Sequence, residues 1–258
     1  MNILLALAGV VIKELYRRKD FYVLFVLTAL ITLLLGSVSF FDDKRIIRYL
    51  KEICLLLIWI SSLVIAILTA GRQIPSEKES RTIFPLLAKP VSRAQMILGK
   101  FLGCWFACGF ALLVFYLFFI VLSGTHDHEF SMLTCLKALW LHWMCLAIII
   151  AMALLGSILF ASVSANATII FITAIGILLV GGHLNTAAVD LTEPTQSIVT
   201  ALYYAIPHLE WFDVRDLVVH DRNIVQFLPI LGATAYAGVY TTLLLGLTVR
   251  LFKRKNLV

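Results

Sequence analysis

Apolar residues in this chain come in long unbroken runs, not at the spacings of a half-buried helix or strand. Six runs stand out: Phe21 to Phe40, Ile53 to Gly71, Phe101 to Ser123, Ala138 to Ala161, the shorter Ala167 to Gly182, and Leu228 to Leu251. A helix needs about 20 consecutive apolar residues to cross a bilayer core. None of the runs has Asp, Glu, Lys or Arg near its centre, as the cost of a charge at mid-bilayer requires. Backbone groups in lipid must be satisfied within the segment, and the period-two alternation of a barrel strand is missing. The pattern therefore predicts an all-α, polytopic membrane protein with six transmembrane helices in a single transmembrane domain over residues 1–258.

The segments between the runs carry the polar residues. In residues 1–19, Asn2, Ala6, Gly9, Lys13 and Arg17 recur every three or four positions on one side of an otherwise apolar helix. That stripe suits a helix lying in the membrane interface; a long helix running straight into the first span is the alternative. Residues 72–100 read RQIPSEKESRTIFPLLAKPVSRAQMILGK. Ser76 and Glu79 have capping-box spacing, which predicts a short amphipathic helix starting there. Pro85 should kink or end it, Pro90 forces an extended break, and Ser92 should cap the helix that enters the third span. The expected result is a small charged elbow projecting from the membrane. Residues 162–166 form a tight turn between spans four and five. Residues 182–227 are the longest loop on the opposite side and include an apolar piece, Ile198 to Ile206, too short to cross and predicted to be a re-entrant or interfacial helix buried against protein. Gly99 with Gly103 and Ala233 with Ala237 have the small-xxx-small spacing of close helix contacts.

Composition agrees with the pattern: 61% of residues are hydrophobic and 14% charged, against roughly 45 to 50% and about 25% in soluble domains. The charges then orient the chain. The side bearing both termini and the elbow holds fourteen of the twenty-one Lys and Arg residues and four of the fifteen acids, a balance of +10. The other side holds seven basic and eleven acidic residues, a balance of −4. Basic loops stay in the cytoplasm, so both termini are predicted to be cytoplasmic, with the protein in the cell inner (plasma) membrane. The net +6 charge is thus a topology signal, and no basic patch interleaved with aromatics remains to bind nucleic acid.

Candidate chemistry is sparse. His126 and His128, beside Asp127 and Glu129, have the spacing of a divalent-metal pair, and His183, His208 and His220 should share their membrane face; an exposed polar loop explains the same letters. Five cysteines, Cys54, Cys104, Cys108, Cys135 and Cys145, lack zinc spacing and read as small buried hydrophobes, with a Cys54 to Cys135 disulfide as the alternative. A phosphate-binding loop needs an earlier glycine and a Ser or Thr around its Gly-Lys, whereas Gly99-Lys100 is followed by Phe101. Nucleophile-elbow and zinc-helix motifs are missing as well, so an enzymatic role is not expected.

One resemblance goes further. Glu77, Glu79, Thr82, Leu86, Leu87, Lys89, Pro90, Val91, Ser92, Arg93, Gly99 and Lys100 resemble the elbow of the ATP-binding-cassette (ABC) type-2 exporter permeases. The branch they resemble includes permeases for maturation of the multicopper enzyme nitrous-oxide reductase. Residues 207–215, PHLEWFDVR, look like the segment before the last helix in that family. The departures are Arg81, where glycine is common, and Pro85 inside the short helix. The resemblance implies a permease that has no ATPase of its own and binds no cofactor, the ATP and Mg being held by a separate ABC ATPase subunit. It also implies pairing with a second permease, identical or different, embedding in membrane lipids, and an ATPase docking under the elbow. Glu77, Glu79, Arg81, Thr82, Lys89 and Arg93 are the expected docking residues. The function expected is ATP-driven export or flipping of a substrate; the alternatives are a mechanotransmitter working on an external accessory protein, and a metal-handling protein using His126 and His128.

Overall fold

The structure, a computed structural model of the chain, describes residues 3–17, 19–37, 44–79, 92–126, 131–160, 162–189, 193–219 and 227–254. Every regular element among them is a helix: α1 (Ile3–Arg17), α2 (Lys19–Ser37), α3 (Lys44–Arg72), α4 (Pro75–Glu79), α5 (Arg93–His126), α6 (Met132–Leu159), α7 (Val163–Val189), α8 (Thr195–Ala205), a 3-10 turn (Leu209–Phe212), α9 (Arg215–Val219) and α10 (Phe227–Arg254). Five of these, α3, α5, α6, α7 and α10, are long and apolar enough to cross a membrane. The first predicted span corresponds to α2, whose described apolar stretch, Tyr22–Leu34, is shorter. Helices run past the apolar runs at both ends because polar residues at the interface continue the hydrogen-bond ladder that hydropathy does not register.

Helix α6 is the hub, packing on α3, α5, α7 and α10. Ile148, Ile149, Ile150 and Ala151 are buried in succession, and a helix apolar all round is stable only where neighbours cover every side. The outer helices are buried on one stripe only. In α5, Cys104, Cys108, Leu112, Phe115 and Phe119 face inward at spacings of three and four, while Phe106, Phe110, Leu113, Leu117 and Val121 are exposed. Exposed apolar faces of this extent are what a bilayer solvates and water does not.

Polar groups lock the helices in register. Trp105 and Trp143 stack with centroids 4.5 Å apart, and each indole N–H donates to the other residue's carbonyl, at 3.2 and 3.0 Å, across α5 and α6. Ser162 caps α7 by accepting from the Ala165 N–H at 3.1 Å. The tight turn expected over 162–166 is therefore shorter, and Asn166 lies inside α7. Its side chain donates to the Ala153 carbonyl at 3.1 Å, and it fits between α3 and α6 only because Gly71 and Gly156 face it: a Cβ on either would overlap the amide.

At the opposite end, α8 packs on α7, the 3-10 turn on α7 and α6, and α9 on α3 and α6. Helix α8 takes up the predicted apolar piece as far as Ala205, but none of its residues is buried, which corrects the burial against protein expected there. All five cysteines are buried and none is in a disulfide.

Candidate functional site

The elbow departs from the bundle where α3 ends. Gln73 and Ile74 form a two-residue turn and α4 starts at Pro75, a residue whose fixed φ and missing N–H suit the first helical position. Ser76 therefore stands inside the first turn, one position past the helix start, and not at the N-cap position expected for it. A capping box closes the returning limb. Ser92 accepts from the Gln95 N–H at 3.2 Å, and the Gln95 side chain accepts from the Ser92 N–H at 2.9 Å. Two of the orphan donors that open α5 are satisfied in this way.

Both limbs are tied to the helices. On the incoming limb, the Lys100 ammonium of α5 donates to the Glu77 carboxylate at 2.7 Å, to the Gln73 carbonyl at 2.9 Å and to the Gln73 side-chain oxygen at 3.3 Å. An ammonium has three protons, and three acceptors surround this one. Gln73 in turn donates to Glu14 of α1 at 3.5 Å and to the Thr69 carbonyl at 3.3 Å. The Lys100 side chain is 4% exposed and that of Glu77 20%, so the pair is shielded from the screening that weakens surface ion pairs. On the returning limb, Arg93 donates to the carbonyls of Phe252 and Lys253 at 2.8 and 3.1 Å and lies over the Phe252 ring, 5.6 Å from its centroid. A cation meeting the last carbonyls of a helix is favoured by the helix dipole. Helix α1 closes the same end, with Ala8 and Val11 against Gly103 of α5 and Lys13 and Arg17 exposed.

Two of the expected docking residues, Glu77 and Arg93, therefore face the protein's own helices. Glu79 is the last described residue of α4, and Arg81, Thr82 and Lys89 lie outside the described residues, as do Pro85 and Pro90. Of the metal candidates, His126 ends α5, while His128 and His220 lie outside the described residues. His183 is exposed. His208 is buried among Tyr203, Trp211 and Tyr236 and lies 3.5 Å from the Glu210 carboxylate. Among the described residues no group of three or more His, Cys, Asp or Glu side chains is arranged to hold a metal.

A second polar cluster has no motif in the sequence to mark it. His142, in the middle of α6, is 1% exposed. Its Nε2 lies 2.8 Å from the Ser62 hydroxyl of α3 and its Nδ1 3.4 Å from the Tyr116 hydroxyl of α5. Ser62 donates its one proton to the Trp59 carbonyl at 2.9 Å, so it accepts from Nε2–H, and Nδ1 accepts from Tyr116; the neutral Nε2–H tautomer satisfies every bond. Trp59 stacks on the imidazole at 4.3 Å, and the Arg215 guanidinium lies on Trp59, 5.3 Å from the ring. Both oxygens of Asp213 accept from Arg215, at 2.8 and 2.6 Å, and these hydrogen bonds push the guanidinium pKa above its ordinary value. Above this stack a cavity of about 350 Å³ is lined by Glu52, Leu56, Asp213, Arg215, Asp216 and Val219. The available signal was a lone histidine inside an apolar span, a position where ionisable residues are rare.

The bundle and its clamped elbow define a polytopic helical membrane protein with no phosphate-binding loop in its sequence. Residues 43–257 match the family model described as ABC-2 family transporter protein, and the chain belongs to that family. It is a permease component of an ABC transporter, a transmembrane subunit that works with a separate ABC ATPase subunit. The match reaches the family and not one branch of it. No curated protein matches the chain.

Proposed function

We propose that this chain is the permease of an exporter or flippase in the cell inner (plasma) membrane, with six spans, both termini in the cytoplasm and a dimeric arrangement with a like permease. Residues 72–100 are its coupling segment. The ATPase subunit, which holds ATP and Mg, docks on the tip of the elbow through Glu79, Arg81, Thr82 and Lys89, while Glu77 and Arg93 brace the two limbs. Closure of the ATPase dimer on ATP then moves the elbow, and the helices follow as rigid bodies.

The observation that carries this reading is the family match over residues 43–257. It is supported by a charged, proline-bounded segment whose two limbs are anchored on different helices, the shape that a force-bearing contact needs. The test is to combine Glu79→Ala with Arg81→Glu and measure how much ATPase subunit co-purifies with the tagged permease. A loss of about tenfold or more is expected, the scale of removing charged contacts from an interface. Undiminished association removes the tip as the docking site.

A further inference from the structure

The Glu77 to Lys100 pair is placed where force entering the elbow has to reach the spans. Residues 80–92 separate α4 from α5, and on the incoming limb the ion pair directly joins α4 to a long helix two turns inside its start. The turn before α4 is held by the same ammonium, through the Gln73 carbonyl and side chain, and α1 joins through Gln73 and Glu14. Helix α4, the turn that ends α3, and α5 therefore meet at one buried cation, with α1 linked through Gln73. Among the described residues the second carboxylate oxygen of Glu77 is buried with no hydrogen-bond partner, and Lys100 bonds the first.

We infer that Lys100 and Glu77 form the positioning latch through which the permease controls its ATPase: α4 displacements reach α5, α3 and α1 through this pair. The inference rests on the elbow being where the ATPase docks. A latch of this kind differs from a stabilising ion pair in one testable respect. A buried pair broken on one side leaves a lone charge and destabilises the fold, whereas replacing both partners with apolar residues of similar size restores stability. Restored stability does not restore a directional, charge-assisted link between α4 and α5.

The experiment uses the permease purified with its ATPase subunit in lipid nanodiscs. Three quantities are read: the amount of ATPase subunit bound, the thermal unfolding midpoint, and the ratio of ATP hydrolysis by the complex to that by the ATPase subunit alone. Glu77→Leu combined with Lys100→Met is expected to keep wild-type binding and midpoint while the permease-dependent part of the ratio falls about tenfold, the scale of one charged hydrogen bond. Glu77→Gln, which keeps volume and an acceptor, is expected to show a loss in the same direction and covers the case in which the double variant does not fold. Recovery of both midpoint and ATPase control in the double variant overturns the inference, as does unaltered control in Glu77→Gln or a wild-type ratio of one. Failure of the wild-type permease to bind the ATPase subunit sinks the docking reading itself, and the latch with it.

Discussion

His142 has both ring nitrogens engaged inside the apolar middle of α6, and its partners come from two other helices. Interhelical hydrogen bonds in membranes are worth about 0.6 to 2 kcal/mol each. His142→Phe keeps a ring on Trp59 but leaves the buried Tyr116 hydroxyl without this acceptor, at a cost of about 1–3 kcal/mol. Tyr116→Phe removes the orphan. In a double-mutant cycle read by unfolding in detergent, the pair is expected to cost less than the sum of the singles, with a coupling of about 1 kcal/mol. Strict additivity contradicts the hydrogen bond. Hydropathy had hidden this residue, since one imidazole in a run of leucines and isoleucines barely changes the mean. The elbow was more legible: its charges, prolines and serines stood out, yet residue type could not say that Glu77 and Arg93 turn toward the bundle, because that depends on where α5 and α10 lie.

Helix α1 depends on a missing side chain. A Cβ on Gly103 meets the Val11 side chain and the Ala8 backbone at 2.7 to 3.0 Å, and backbone cannot step aside as the far end of a flexible side chain can. Gly103→Val is therefore expected to push α1 off α5 and to cost about 1–3 kcal/mol by overpacking. The thermal unfolding midpoint in detergent reads this cost, and Gly103→Ala, which adds only the Cβ, is expected to lose less than Gly103→Val. An unchanged midpoint in both variants counts against this contact. The small-xxx-small spacing predicted a close contact at Gly103, but its partner, α1, was decided by packing. The tight junction of α6 and α7 was also legible as a short connection. Asn166 was not, because its place between Gly71 and Gly156 needs three helices to converge.

At the scale of the molecule, the asymmetric charge predicts that the elbow lies in the cytoplasm. Because all five native cysteines are buried, a single new thiol dominates the reactivity of the folded protein. Lys78→Cys is expected to resist a membrane-impermeant maleimide in intact cells and to react once the membrane is permeabilised; labelling in intact cells reverses the orientation. The same burial predicts that the unmodified chain reacts only after denaturation. The elbow, the α5 base and the end of α10 share one end of the bundle, and the Arg215 stack closes the other.

The amino-acid sequence by itself determined that this chain is helical and membrane-embedded, roughly where its spans begin and end, and which segment is the charged elbow. Those properties follow from run length, charge placement and proline, all local along the chain. Tertiary structure alone decided that Lys100 gathers Gln73 and Glu77, that Arg93 meets the end of α10, and that His142 joins three helices. These contacts join residues from 23 to 160 positions apart, and a polar side chain inside a bundle takes its meaning from whichever helix happens to face it.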